Sequence, residues 1–120
     1  MLRVTPEQMT ALSQDVGARF LDRAVRFLRE RIEDCRATSV PELRRRVASY
    51  VERAASWGLG SEQAVMSYAI AAELLGPDFE VQPRVRAYLA SRRRPEQKAD
   101  FLDALVVAVD EMAARGSPVR

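Results

Sequence analysis

The sequence predicts an all-α protein: one domain over residues 1–120, a bundle of about five helices around a buried central helix at 62–75. Three observations carry that expectation. Apolar residues recur at three- and four-residue steps along nearly the whole chain, the period of helices with one buried face. Capping residues stand where the apolar runs begin, at Thr5, Ser39 and Ser61. Glycine and proline stand where runs stop, at Gly58, Gly76-Pro77 and Gly116-Ser117-Pro118.

Thr5-Pro6-Glu7-Gln8 opens the first helix, with threonine as cap, proline at the first helical position and Gln8 placed to close a capping box. Met9, Leu12, Val16, Phe20, Ala24, Phe27/Leu28, Ile32 and Cys35 then mark one face. They predict a single long helix over 6–36, in which Gly17 costs about 1 kcal/mol relative to alanine. Ser39-Val40-Pro41-Glu42 repeats the start signal, and Leu43, Val47, Tyr50, Val51 and Ala54 give the inner face of a helix over 40–57. Gly58 stops it, with Leu59 placed to fold back on the last turn as in a Schellman motif.

Ser61 caps the helix at 62–75, whose Ala64–Ala72 run is apolar nearly all round, as expected of a helix buried on most sides. A loop over 76–83 holds Asp78, Phe79 and Glu80. Pro83 opens a short helix over 83–91 with Val85, Tyr88 and Leu89 inward, and Ser91-Arg92-Arg93-Arg94 breaks it. Pro95-Glu96-Gln97 starts the last helix, with Phe101/Leu102, Leu105/Val106, Val109 and Met112/Ala113 as its inner face.

The chain is 48% hydrophobic and 30% charged, the balance of a globular rather than a disordered protein, and 19 bases against 17 acids leave it at +2. No apolar run approaches the ~18–20 residues of a membrane helix. Arg3, Pro6, Glu7 and Gln8 interrupt the N-terminal stretch before a secretory leader can form, so no signal peptide is expected there. Cys35 is the lone cysteine, which excludes an internal disulfide. Histidine is absent, and with it go the Ser-His-Asp and Cys-His nucleophile systems and every histidine-dependent metal site. Lys98 is the single lysine beside 18 arginines, and asparagine is absent, a bias that fits GC-rich bacterial codon usage.

Several motifs match only part of the pattern their chemistry requires. Gly58-Leu59-Gly60-Ser61 resembles a phosphate cradle, but it follows a helix, has Gln63 where a third glycine belongs, and puts Glu62 at the helix start, where it repels anions. The pair 40–57 and 62–75 has helix-turn-helix spacing. Its second helix carries no base, and Arg44, Arg45, Arg46 and Arg53 lie on the first, so specific DNA reading is not expected. Glu73, Asp100/Asp103 and Glu30/Glu33 lack the histidines a di-iron bundle needs, and Glu73 is expected to reach solvent or an arginine. Cys35 reads as a small buried residue. No catalytic, metal or cofactor site is expected, and the protein reads as non-enzymatic.

Along the first helix Asp15/Arg19, Asp22/Arg26, Arg26/Glu30 and Arg29/Glu33 are i,i+4 pairs that would neutralise a solvated face. Two clusters escape that pattern, Arg44-Arg45-Arg46 and Arg92-Arg93-Arg94, the second being the more available because it lies in a loop. Trp57, Leu59, Phe79 and Tyr88 stand beside the helix breaks. Together with Arg92, Arg93 and Arg94 they are the candidate partner-binding residues, since aromatic residues and arginine anchor interfaces. An acidic protein partner is the leading expectation, non-specific nucleic-acid or anion binding through arginine the alternative, and a homo-oligomer is compatible with both.

The stretch Leu43-Arg44-Arg45, Val51-Glu52-Arg53-Ala54, Trp57-Gly58-Leu59, Ser61-Glu62, Val65, Tyr68 and Leu75-Gly76-Pro77-Asp78-Phe79-Glu80 resembles a small all-helical bacterial family associated with type VI secretion effector gene clusters. The resemblance covers roughly residues 28–90. Glu80 stands where the family pattern has aspartate, and the C-terminal third matches only in being helical. The resemblance implies a cytoplasmic accessory protein bound to an effector toxin or spike-tip protein, acting as adaptor or chaperone, or alternatively as an immunity protein. It carries no catalytic residues over.

Overall fold

The computed structural model describes the backbone of residues 6–116 and the side chains of residues 17–112. It is an all-α helical bundle, with no strand among the described residues. The helices are α1 (Pro6–Arg31), α2 (Glu33–Arg36), α3 (Val40–Ser56), α4 (Glu62–Leu75), α5 (Pro83–Ala90) and α6 (Pro95–Gly116), with a 3-10 turn at Phe79–Val81. They gather into two compact units that divide between Ala48 and Ser49, within α3.

In the first unit the helix expected over 6–36 is broken. Ile32 is extended (φ −120°, ψ 119°), and α2 begins at the next residue. The charge order accounts for it: Arg29 and Arg31 close α1 and Glu33 and Asp34 open α2, so each helix end meets the charge its dipole favours. A β-branched residue between them accepts the extended conformation readily. Phe20, Ala24, Val25, Leu28, Ile32 and Cys35 are buried with Leu43 and Val47 of α3. The expected positions Met9, Leu12, Val16 and the Asp15/Arg19 pair lie outside the described side chains.

Ser39 caps α3, its hydroxyl oxygen accepting from the Glu42 amide at 3.3 Å, while the Glu42 carboxylate pairs with Arg45 rather than closing the box. The other expected i,i+4 pairs of α1 do not form. Asp22 pairs with Arg44 of α3, and Arg29 donates to the Thr38 carbonyl at 2.8 Å. Arg46 reaches the Thr38 hydroxyl, so the triplet 44–46 is partnered throughout.

In the second unit the end of α3 is a Schellman motif. The Gly58 amide donates to Ala55 O and the Leu59 amide to Ala54 O, with Gly58 at φ +83° and Leu59 fully buried. Ser61 caps α4 through the Ala64 amide at 3.1 Å. Seven residues of α4 are buried, Tyr68 among them, and the helix packs against α6 and the 3-10 turn. Gly76 (φ +101°) ends it in a conformation open to glycine.

The C-terminal half of α6 departs from expectation. Leu102 is buried and Phe101, Leu105 and Val106 half-buried, but Val109 and Met112 are exposed. The apolar period thus runs on over residues that are exposed, so periodicity by itself does not establish burial.

Candidate partner-binding surface

The candidate surface is built around the first two turns of α6, in the second unit. Gln97 supports the N-terminus of this helix, its amide oxygen accepting from the Arg94 backbone amide at 3.0 Å, and the Lys98 amide begins the ladder by donating to Arg94 O. One turn into α6 the ammonium of Lys98 donates to the carbonyl oxygen of Trp57 at 2.9 Å. The end of α3 is thereby held beside the start of α6, directly after the Arg92–Arg94 loop.

Trp57 is held from a second direction. Glu80, buried in the 3-10 turn, takes three donors: the Trp57 indole N–H at 2.9 Å and the Tyr68 hydroxyl at 2.6 Å on Oε1, and Arg53 on Oε2. Burial pushes the Tyr68 hydroxyl above its ordinary value, against the opposing pull of the Arg53 guanidinium. Tyr68 packs on Phe79 with ring centroids 5.2 Å apart. Trp57 is left half-buried, one edge fixed by Glu80 and the rest partly open to solvent.

Beside it, three groups stack. Tyr88 of α5 lies parallel to Phe101 of α6 at 4.1 Å, and the guanidinium of Arg93 sits over the Tyr88 ring at 4.3 Å. Arg84, Arg86, Arg92, Arg93 and Arg94 are all exposed, and no acidic residue occurs between Glu80 and Glu96. With the whole chain at +2, this short stretch is a concentrated positive region.

No protein family model matches this chain, and no characterised protein and no solved structure matches it.

Of the residues singled out in the sequence, the structure gathers Trp57, Tyr88, Arg92, Arg93 and Arg94 around the start of α6. Leu59 and Phe79 are core residues, 0% and 4% exposed, and present nothing to a partner. The Schellman fold-back drives Leu59 inward, and the 3-10 turn lays Phe79 on Tyr68. Glu73 is half-buried and accepts from the Tyr50 hydroxyl.

Sequence reasoning did not find Glu80, Arg53, Tyr68 or Lys98 as a cluster. They come from three helices and a turn, with no shared spacing. The one available signal was Lys98 itself, the only lysine in a chain that otherwise uses arginine throughout. Its ammonium is a compact point charge that donates to a single carbonyl. Among the described residues no group of three acidic, cysteine or histidine side chains could hold a metal ion.

Proposed function

We propose that this protein is a non-catalytic binding module that engages an acidic segment of a protein partner through Arg92, Arg93, Arg94, Tyr88 and Trp57, serving as adaptor or chaperone for a secreted bacterial effector. The observation that carries the binding mode is the stack of Arg93 on Tyr88 on Phe101. Stacking uses the face of the guanidinium and leaves its in-plane N–H donors for a carboxylate, while the rings hold the side chain in place and reduce the entropy lost on binding. Arg92 and Arg94 flank it with two more exposed donors. The effector role is supported by the resemblance in residues 43–80, and a cytoplasmic site of action belongs to the same reading.

The experiment is affinity capture of the tagged protein from its host at moderate salt, in parallel with the triple substitution Arg92→Glu, Arg93→Glu, Arg94→Glu. Wild type is expected to retain a stoichiometric acidic protein that the triple variant loses. An effector or spike-tip protein in that position supports the accessory role, and a toxicity assay of the complex separates chaperone from antidote. Recovery of nucleic acid, released steeply between low and physiological salt, would replace this reading with phosphate binding.

A further inference from the structure

We propose that the first unit carries a second binding site, a cleft between α1, α2 and the start of α3 that takes an acidic peptide segment bearing an apolar side chain between its carboxylates. The cleft measures about 730 Å³ and is open to solvent. Its α1 wall is the stripe Asp22, Val25, Arg26, Arg29 and Glu30, spaced to share one side of a helix, and Arg36 and Val40 close the other side.

The charge state of the cleft is what points to an anion. The sequence pairs Asp22 and Glu30 with Arg26, yet Asp22 is engaged by Arg44, which lies outside the lining. Arg29 is committed to the Thr38 carbonyl, a bond that ties α1 to the 37–39 loop beside the cleft. Arg26 and Arg36 are exposed and make no ion pair among the described residues. Against these two guanidinium groups stands one acid, Glu30, so the lining keeps a positive excess after its internal partners are counted.

Two valines supply the apolar part. Both line the cleft; Val25 is buried, and Val40 is 49% exposed, a branched side chain open to solvent at a helix start. A segment with carboxylates on Arg26 and Arg36 and a leucine-sized side chain on Val25 and Val40 satisfies both chemistries at once. The site belongs to the other unit from the α6 surface and stands independently of it.

The test uses the full chain and a fluorescein-labelled synthetic hexapeptide, Asp-Glu-Leu-Leu-Glu-Asp, followed by fluorescence anisotropy at low salt. Saturable binding is expected. It should weaken on the order of tenfold in the double substitution Arg26→Gln, Arg36→Gln, and again in Val40→Asp, all at exposed positions that leave the core untouched. Replacing both leucines of the peptide by serine should weaken binding similarly. The Arg92→Glu, Arg93→Glu, Arg94→Glu protein, which removes any share of the peptide taken by the α6 surface, should retain a saturable phase that depends on Arg26, Arg36 and Val40. Absence of binding, or affinity indifferent to Arg26 and Arg36, overturns the proposal. So does loss of affinity only in the Arg92–Arg94 variant, which would assign the peptide to the α6 surface. Displacement of the peptide by equimolar octanoate would replace the peptide with a small amphiphilic carboxylate.

Discussion

The ammonium of Lys98 lies 2.9 Å from the carbonyl oxygen of Trp57 and is 8% exposed, so the chain's only lysine serves as a buried C-terminal cap for α3. The carbonyls at a helix C-terminus lack intrahelical donors and carry the negative end of the dipole, and a cation there meets both needs. Lys98→Met keeps the stem and removes the charge. It is expected to cost about 1–2 kcal/mol, seen as a melting temperature lower by roughly 5–10 °C in thermal denaturation. A melting temperature equal to wild type would mean that solvent caps Trp57 equally well.

Glu80 gathers Trp57, Tyr68 and Arg53 on one buried carboxylate, and its two obvious substitutions separate hydrogen bonding from charge. Glu80→Ala strands the buried Tyr68 hydroxyl and the indole N–H and is expected to cost about 2–4 kcal/mol. Glu80→Gln retains an acceptor for both and loses only the pairing with half-exposed Arg53, at about 1 kcal/mol. Urea unfolding of the two variants measures the difference, and equal losses would assign the cluster's value to charge alone.

Tyr68 sets an alkaline limit. Its folded-state pKa lies above the ordinary 10.0, chiefly through burial, so the folded protein holds this proton after the unfolded chain releases it. The stabilisation is present in full below about pH 10 and is lost as the pH rises above that value. Melting temperature measured from pH 8 to 11.5 is expected to fall more steeply in wild type than in Tyr68→Phe. Parallel curves would show that Tyr68 ionises without opposition in the fold.

Gly58 and Gly60 stand two residues apart in the α3–α4 turn and should respond oppositely to alanine. A Cβ at either position meets open space, so only backbone conformation distinguishes them. Gly58 has φ +83° and Gly58→Ala is expected to cost about 1 kcal/mol, whereas Gly60→Ala should be neutral or slightly stabilising. Chemical denaturation of both variants reads this directly.

The surface features were only partly legible beforehand. Arg92–Arg94 and Tyr88 could be nominated from composition and position, but that Arg93 stacks on Tyr88 and Tyr88 on Phe101 depends on where α5 meets α6. The same limit applies to Phe79, whose apolar character at a helix break fits an edge and a core equally, whereas the Schellman pattern at Gly58 already pointed Leu59 back onto its helix. Only the direction of the chain after the break puts Phe79 inside.

What the sequence determined by itself was local: the helical class, the caps at Ser39 and Ser61, the stop at Gly58 and the bounds of α4. These follow from interactions within a turn or two, which residue type and spacing largely dictate. The tertiary structure decided the partners of charge and the fate of apolar faces. Arg44 takes Asp22 away from Arg26, Lys98 finds Trp57, Glu80 collects three donors, and Val109 and Met112 on the apolar face of α6 stand exposed. Each outcome depends on distances between residues far apart in the chain, which no local pattern encodes.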